Sequence, residues 1–370
     1  MRRRAPGAVF AANDARGEVS AVEKKSRVNK KVIWAIISFI LAIGSIAAVI
    51  WHSRSFKLSE FFEFIRRANP GYIAAAVVCM LLFILFEGEA LRVILVAFGN
   101  RASHRNCAAY SATDLYFSAI TPSSTGGQPA CAFMMMRDGI PGSTATVALL
   151  ANIVMYTSSI FVLGLLAFFL YPSAFSNFGS MSRILIYAGI IAQVCLLSFF
   201  ILLLVNEQLL SRIVIRLIRI GGKLRLVRRV DERIEKISAS LDNYARDIRA
   251  LRGHRAMLVK VFFLNLAQRA SQLAVTMFVH LAAGSDLLSA LKVFALQCYV
   301  VLGASFVPIP GAMGVTDFLM LDAFGTILPP EAATSLELLS RTLSFYCCIL
   351  LCAVVVLIRF LSAKKGSASK

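Results

Sequence analysis

Six apolar stretches, each long enough to cross a lipid bilayer as a helix, constrain this chain more than any other feature. The hydrocarbon core of a bilayer is ~30 Å thick, and about 20 mostly apolar helical residues are needed to cross it. Backbone amides find no water there, so the stretches must be helices rather than strands. Hydrophobic residues make up 58% of the chain and charged residues only 16%, which argues against an ordinary soluble domain. The predicted full spans are 32–51, 71–99, 143–170, 184–205, 257–284 and 338–361.

The positive charges of the chain are unevenly placed, and their placement predicts its orientation. The formal net charge is +19, and of 39 Lys and Arg residues nine lie in 1–31, thirteen in 206–256 and three in 362–370. Loops that stay in the cytoplasm carry an excess of Lys and Arg. We therefore expect an inner-membrane protein with both termini and the loop 206–256 in the cytoplasm, and with a disordered basic tail over 1–31. The same basicity is also suited to attracting anionic lipid headgroups.

Two further apolar regions are broken by Gly and Pro, and each is predicted to enter and leave the membrane on one side. The spans that flank 107–136 both have their adjoining ends in the cytoplasm, so this region returns to the side from which it entered. By the same count of crossings, 286–337 leaves and returns on the outer side. If the acidic stretch 328–337 were cytoplasmic, the second region would become a full span, but its lack of Lys and Arg favours a hairpin.

The two hairpins occupy corresponding places in two halves of opposite orientation. The first breaks at 121–129 and the second at 307–314. Interrupted segments at matching positions of an inverted pseudo-repeat indicate a transport site. The sequence thus predicts an all-α, polytopic membrane protein with a single transmembrane domain over 32–361, six full spans and two re-entrant hairpins.

The cytoplasmic loop 206–256 is predicted to be helical. Its first part interleaves arginines with Ile and Leu over 209–220, a pattern typical of a helix at the membrane interface. An apolar seam follows, spaced alternately by three and four residues as in a coiled coil. The seam contains Val227, Val230, Ile234, Ile237, Leu241, Tyr244, Ile248 and Leu251. It either packs on its own chain or joins a second copy or a partner helix, and the sequence leaves both interpretations open.

Ionisable groups inside predicted spans are costly and by default indicate functional sites. Gly and Pro at the breaks free backbone donors and acceptors, and with the hydroxyls and amide of the first break they offer a site for a phosphate. The predicted lipid-binding and translocation residues are Glu89, Arg92, Asp114, Thr121, Pro122, Gly126, Gly127, Gln128, Arg269, Gln272, Pro308, Pro310, Gly311, Gly314 and Asp317. Glu87 and Arg341 also lie in predicted spans, without an assigned role. Alternatively, the charges pair for structural reasons, as Glu89 and Arg92 can on one helix face, and the breaks are tight turns.

No catalytic or metal-binding constellation is recognisable in the sequence. The four His residues are not in HExxH spacing, and no GxSxG, Walker A or dinucleotide fingerprint occurs. The eight Cys residues fall in or beside apolar segments without zinc spacing, so we interpret them as small hydrophobic residues. We therefore predict no cofactor, no metal ion and no nucleic-acid partner.

With both breaks in view, the chain resembles the transmembrane, flippase-like region of bacterial lysylphosphatidylglycerol synthases over nearly all of 32–361. The resemblance rests on Glu87-Gly88-Glu89-Ala90-Leu91-Arg92, on Ile120-Thr121-Pro122 through Gly126-Gly127-Gln128-Pro129, and on Pro308-Ile309-Pro310-Gly311 with Gly314-Val315. Relatives often carry Gly-Gly and then a glutamate after the second break, where this chain has Gly311-Ala312 and Asp317. The acidic charge is kept but its side chain is shorter.

The resemblance implies a membrane region that moves an aminoacylated or anionic phospholipid between leaflets. In full-length synthases a C-terminal soluble domain transfers lysine from charged tRNA to phosphatidylglycerol, and we expect it to be absent because the sequence ends nine residues after the last span. The leading hypothesis is a phospholipid flippase in which Arg92, Arg269 and hairpin amides hold the lipid phosphate. The alternatives are a phosphatidylglycerol lysyltransferase, for which no catalytic residues are seen, and a non-transporting scaffold subunit that assembles through 227–251.

Overall fold

The structure, a computed structural model, describes residues 58–121, 124–206, 208–223, 230–305, 307, 310–312 and 314–367. The predicted basic tail 1–31 and the first predicted span 32–51 lie outside these residues, as do Pro122, Pro308 and the first residue of the seam, Val227. Every regular element within the described residues is helical, so the all-α prediction is confirmed there.

The helices follow one another with mostly short connections. They are α1 (Leu58–Arg67), α2 (Pro70–Ala97), α3 (His104–Ile120), α4 (Gly127–Arg137), α5 (Gly142–Leu170), α6 (Ser173–Asn177), α7 (Ser180–Val205), α8 (Leu209–Lys223), α9 (Val230–Gly253), α10 (Arg255–Ala282), α11 (Leu287–Ala304), α12 (Val315–Gly325), α13 (Pro330–Arg341) and α14 (Cys348–Ser367). A 3₁₀ turn, Pro310–Ala312, precedes α12, and a π-helical stretch, Thr342–Cys347, joins α13 to α14. The two regions predicted as hairpins have the same order of elements. Each consists of a helix of 17 or 18 residues, then a break, then a helix of 11 residues.

Local sequence determines where several of these helices begin. The side chain of Asn69 accepts a hydrogen bond from the Gly71 N–H, and Pro70 occupies the first turn of α2, where it leaves no donor unsatisfied. The side chains of Ser103 and Asp286 accept hydrogen bonds from backbone N–H groups in the first turns of α3 and α11. The first helix of each broken region is therefore capped by its own sequence.

Among the residues that the structure describes, five helical runs are long and apolar enough to cross a membrane. They are Pro70–Ala97, Gly142–Leu170, Ser180–Val205, Leu287–Ala304 and Pro330–Phe360. Four of them overlap spans predicted from the sequence, whereas Leu287–Ala304 lies in the region predicted as the second hairpin. The predicted span 257–284 forms α10, which has 28 residues but carries charged and amide side chains. The chain is a multi-pass membrane protein, and six full spans with two re-entrant hairpins stay a prediction.

The outward surface of the bundle is apolar, as a surface in contact with lipid must be. Phe169 and Leu170 at the end of α5 are 71% and 78% exposed, and Leu350 on α14 is 67% exposed. A soluble protein rarely exposes so much contiguous apolar surface. Acyl chains are the environment that these side chains fit.

Contacts between loops gather several chain segments at one end of the bundle. These contacts are the ring pair Phe98–His254, with centroids 6.2 Å apart, the hydrogen bond from Thr144 Oγ1 to Asp247 Oδ2 at 3.0 Å, and the ion pair between Arg359 and Asp138. We call this end the basic end, because Arg101, Arg105 and Arg137 lie in or beside its loops. Helix α3 begins and helix α4 ends here.

The opposite end is defined by a second set of contacts. The Asn69 N–H donates to the Ala282 carbonyl at 3.0 Å, and the Gly179 N–H donates to Asp322 Oδ2 at 2.9 Å. Helix α13 contacts α1 at this end. Helix α11 therefore begins, and helix α12 ends, at this opposite end of the bundle. The first broken region thus has both of its ends at the basic end, and the second has both of its ends at the opposite end.

Helices α2 and α10 form the central, antiparallel pair of the bundle, since the start of α2 meets the end of α10.

Glycines let further helices approach each other closely. A Cβ at Gly88 of α2 would lie 2.9 Å from the Ala108 backbone of α3, and one at Gly189 of α7 would lie 2.0 Å from the Leu302 carbonyl of α11. Helix α3 also packs against α14, and α11 packs against α5. Each broken region thus contacts a long helix of the other half.

The helices of the loop 206–256 differ in how they pack. Tyr244, Ile248 and Leu251 of α9 are 2%, 0% and 4% exposed, and Tyr244 Oη donates to the Leu203 carbonyl at 3.0 Å. The C-terminal half of the seam therefore packs on its own chain, which is the first of the two interpretations, and assembly through the seam stays a prediction. By contrast, α8 has no buried residue.

The last helical run changes character at the π-helical stretch Thr342–Cys347. A π turn holds about one residue more than an α turn and often occurs at functional sites. Phe345 of this stretch lies against the second break, because a Cβ at Gly311 would be 2.2 Å from Phe345 Cζ. Gly311 also has a φ of +61°, which favours glycine. The widened turn and the second break are therefore fitted to each other.

Candidate functional site

A polar stripe runs along α10, the helix at the centre of the bundle. Asn265, Gln268, Arg269 and Gln272 recur at helical spacing, and Asn265 and Gln268 are only 0% and 1% exposed. Asn265 Nδ2 donates to Asn152 Oδ1 of α5 at 2.9 Å. Polar groups at membrane depth need protein partners or a polar cavity, so this stripe turns toward the other helices rather than toward lipid.

Two buried carboxyl groups from neighbouring helices lie against this polar stripe. Glu87 of α2 and Asp114 of α3 are each 5% exposed, and their side chains hydrogen bond to each other. Glu87 Oε2 also accepts hydrogen bonds from Gln268 Nε2 at 3.0 Å and from Ser111 Oγ at 3.1 Å. Buried carboxyl groups are costly unless neighbours donate to them or a proton neutralises one of them. This arrangement supplies several such donors in one place.

The glycine-rich first break wraps around Asp114. Gln128 Nε2 donates to Asp114 Oδ2 at 2.6 Å. A Cβ at Gly127 would lie only 2.1 Å from Asp114 Oδ1 and 2.6 Å from the Asp114 carbonyl oxygen, so only glycine fits here. The break therefore binds a carboxyl group of its own first helix. We call Glu87, Asp114, Gln128, Gln268 and Arg269 the central cluster.

Arg269 carries the positive charge of the central cluster. Its guanidinium stacks on the Tyr156 ring of α5, with 3.8 Å between Cζ and the ring centroid, and Nη1 donates to Gln272 Oε1 at 2.5 Å. It also interacts electrostatically with both Glu87 and Asp114. Its buried Nε donates to no acceptor among the described residues. The guanidinium is thus held in position by stacking while part of its donor capacity is unused.

Glu89 and Arg92 form a separate ionic group nearer the basic end. Arg92 donates from Nε to Glu89 Oε2 at 2.8 Å and from Nη2 to Glu89 Oε1 at 2.7 Å. His104 Nδ1 at the start of α3 lies 2.8 Å from Glu89 Oε2. A bidentate pair of this kind uses the two most directional donors of the guanidinium. Glu89 and Arg92 therefore neutralise each other, which is the structural alternative foreseen for them.

The second break carries its own charged cluster. The Asp317 carboxylate accepts a hydrogen bond from the Gly314 N–H at 2.9 Å, and Asp317 Oδ1 lies 2.8 Å from Arg341 Nε. Glu337 is 2% exposed and interacts with both Asp317 and Arg341. The Arg341 guanidinium also lies over the Phe345 ring, at 4.7 Å. One arginine thus serves two carboxyl groups in a nearly dry environment.

The structure brings only part of the predicted set together. Asp114, Gly127, Gln128, Arg269 and Gln272 lie in or beside the central cluster, and the Gly126 N–H donates to Thr121 Oγ1 at 2.9 Å within the first break. Pro310, Gly311, Gly314 and Asp317 belong to the second break, whose turn 310–312 contacts α3. Glu89 and Arg92 stand apart from both, and Pro122 and Pro308 lie outside the described residues.

Sequence reasoning assigned no role to Glu87, Gln268 and Glu337, which the structure buries among the charged groups. A signal for Gln268 was present, because polar residues recur at i, i+3, i+4 and i+7 from Asn265 in an otherwise apolar helix. Glu87 precedes Gly88, where the backbones of α2 and α3 approach closely. The position of Glu337 depends on how α13 folds back toward the second break, which no local pattern indicates.

Comparison with protein families finds a match over most of the chain. The model described as "Lysylphosphatidylglycerol synthase TM region" matches residues 35–352 of this chain. Neither the comparison with curated proteins nor that with solved structures returned a match.

Proposed function

The chain belongs to the family of lysylphosphatidylglycerol synthase transmembrane regions, and from this premise we propose that it moves a phospholipid between the two leaflets of a membrane. The proposed substrate is an anionic phospholipid or one of the lysylphosphatidylglycerol type. Its acyl chains stay in the bilayer while the headgroup passes through the polar centre of the bundle.

The observation that carries this proposal is the state of Arg269. A guanidinium in the middle of a 28-residue helix with apolar flanks is energetically unfavourable, and such groups in membrane proteins usually serve a function. Here stacking on Tyr156 fixes its orientation, and Nε is directed at no acceptor among the described residues. Planar guanidinium groups recognise phosphate with paired donors. We assign Arg269 as the anchor of the lipid phosphate.

The role of Arg92 in this proposal differs from that of Arg269. Both were predicted to hold the phosphate, but Arg92 already donates twice to Glu89, so a phosphate at Arg92 must first displace that carboxylate. Because Glu89 and Arg92 lie toward the basic end, we place them at the entrance of the pathway.

The two broken regions are proposed as the moving parts. We take α3–α4 and α11–α12 to be re-entrant hairpins of an inverted pseudo-repeat, since each begins and ends at one end of the bundle. The contact between the turn 310–312 and α3 supports a meeting of the hairpins near the bilayer midplane. Rocking of one half against the other about this contact exposes the central cluster to each leaflet in turn.

The test is transport of fluorescent phosphatidylglycerol and of its lysyl derivative in proteoliposomes, measured by chemical quenching of the outer leaflet. We expect the protein to raise the quenched fraction above that of empty liposomes, and Arg269→Gln to abolish the increase. Arg66→Gln is the matched control, because Arg66 is exposed on α1 and lies outside the central cluster. Equal quenching with wild-type protein and empty liposomes contradicts the proposal.

A further inference from the structure

The buried acid pair Glu87–Asp114 is not used by the proposed phosphate contact, and its hydrogen bonds locate a proton. Asp114 accepts at both oxygens, from Gln128 Nε2 at 2.6 Å and from Ser118 Oγ at 3.2 Å. Glu87 Oε2 accepts from Gln268 Nε2. Two carboxyl groups hydrogen bond to each other only if one is protonated. We assign the shared proton to Glu87, because both oxygens of Asp114 already accept hydrogen bonds from other side chains, as expected of the anionic partner.

Beside the pair, two buried amide oxygens are unpaired among the described residues, against one unpaired donor, Arg269 Nε. Gln268 is 1% exposed, and while its Nε2 donates to Glu87 its Oε1 accepts from no donor among the described residues. The same holds for Oε1 of Gln128, whose Nε2 donates to Asp114. A buried acceptor without a donor costs on the order of 1–3 kcal/mol. A site with this excess of acceptors is built to receive positive charge.

The charge of the central cluster is balanced with one proton bound. The singly protonated pair carries one negative charge, and Arg269 carries one positive charge. Within the part of the chain that the structure describes, the thiols of Cys131 on α4 and Cys352 on α14 also interact with the pair, and neither is charged when protonated. An anionic headgroup at Arg269 adds a negative charge next to Asp114. Uncompensated charge in a low-dielectric interior is strongly unfavourable.

We propose that the Glu87–Asp114 pair is a proton-binding site that is loaded together with an anionic headgroup, so that lipid movement is coupled to proton movement. The proton comes from water on the loading side and binds a carboxylate oxygen of Asp114 while Glu87 keeps its own. It returns to water when the headgroup leaves on the other side. This inference rests on the proposed function, because it takes Arg269 as the phosphate anchor.

The first experiment measures binding of short-chain phosphatidylglycerol to the purified, detergent-solubilised protein by titration calorimetry. Repeating the titration at about pH 7 in buffers of different ionisation enthalpy counts the protons taken up, and we expect about one proton per lipid bound. Replacing Na⁺ by choline should leave this number unchanged. Binding without proton uptake, or binding that requires Na⁺ instead, overturns the inference and leaves the proposed function intact. Absence of binding overturns the proposed function and with it this inference.

Two isosteric variants separate the roles of the two acids. In Glu87→Gln the new amide donates to Asp114 permanently and its oxygen still accepts from Gln268, so proton uptake on Asp114 should persist. In Asp114→Asn the added N–H₂ can donate to Gln128 once that amide rotates, since its Oε1 is available, but uptake should fall to zero. Equal proton uptake by both variants contradicts the assignment of the second proton to Asp114.

Discussion

Replacement of Gly127 by alanine is the sharpest test of how the first break holds the central cluster. A Cβ at this position would lie 2.0 Å from Ser118 Oγ, 2.1 Å from Asp114 Oδ1 and 2.6 Å from the Asp114 carbonyl oxygen. The hydroxyl can rotate away, but the carboxylate is held by Gln128 and the carbonyl belongs to α3 itself. Because ordinary contacts begin near 3.4 Å, α4 must move away from α3 by roughly 0.8 Å to relieve the backbone clash alone.

The size of the effect follows from three contributions. Overpacking of a tight interior costs about 1–3 kcal/mol. Loss of the charge-assisted hydrogen bond from Gln128 to Asp114 costs about 1.5–3 kcal/mol. Alanine recovers about 1 kcal/mol over glycine through its helix propensity. We therefore expect Gly127→Ala to lower the free energy of unfolding by about 3 kcal/mol, which corresponds to a decrease of about 4 °C in the unfolding midpoint of a chain of 370 residues.

The assay combines thermal unfolding in detergent with lipid transport in proteoliposomes. The matched control is Gly325→Ala at the end of α12, the equivalent short helix of the second broken region, where an added Cβ meets no atom within 4 Å. We expect the control to unfold at or slightly above the wild-type temperature and to transport lipid normally. An unchanged unfolding midpoint for Gly127→Ala would refute the close contact between α3 and α4 described above.

Three further predictions concern the remaining polar contacts. Arg92→Ala and Glu89→Gln should each destabilise the protein, and a double-mutant cycle of unfolding free energies should give a coupling of about 1 kcal/mol, since the pair is only partly buried. Arg341→Gln should cost about 3–5 kcal/mol in unfolding measurements and Asp317→Asn clearly less, because loss of the arginine strands the buried Glu337 and the partly buried Asp317, whereas after loss of Asp317 the arginine still has Glu337 as a partner. Tyr244→Phe should cost about 1 kcal/mol through the lost hydrogen bond. Burial raises the pKa of Tyr244 to about 12, so its contribution is complete below pH 10 and is lost as the pH rises toward 12, which tyrosinate absorbance can follow.

The sequence was sufficient to predict the class of fold and most helix positions. Length and apolarity fix where membrane helices lie, because hydrocarbon tolerates no other backbone structure. Leu287–Ala304 shows the limit of that reasoning: it is apolar enough to cross, while its flanking contacts place the start of α11 and the end of α12 at one end of the bundle. Segment length alone does not distinguish a full span from one arm of a hairpin.

Several residues of the candidate site could be predicted from the sequence, but the partners that they contact could not. Asp114 and Arg269 were identified because ionisable groups are costly at membrane depth, and Gln128 because its amide belongs to the first break. Their partners Glu87 and Gln268 meet across an antiparallel helix pair and are 181 positions apart in the chain. The sequence indicated that Arg92 can pair with Glu89, but it does not indicate that Arg269 keeps an unpaired donor, because this depends on Tyr156 and on the rotation of α10.

The π-helical stretch Thr342–Cys347 has a consequence for how relatives of this chain should be aligned. One surplus residue in a helical turn rotates everything that follows by about 100° relative to an uninterrupted α-helix. Deleting a single residue there would therefore turn α14 about its axis and carry Cys352 away from Glu87, with which it now interacts. A one-residue gap in this stretch of a related sequence accordingly signifies a different set of side chains facing the central cluster. Such gaps separate relatives that share this arrangement from those that do not.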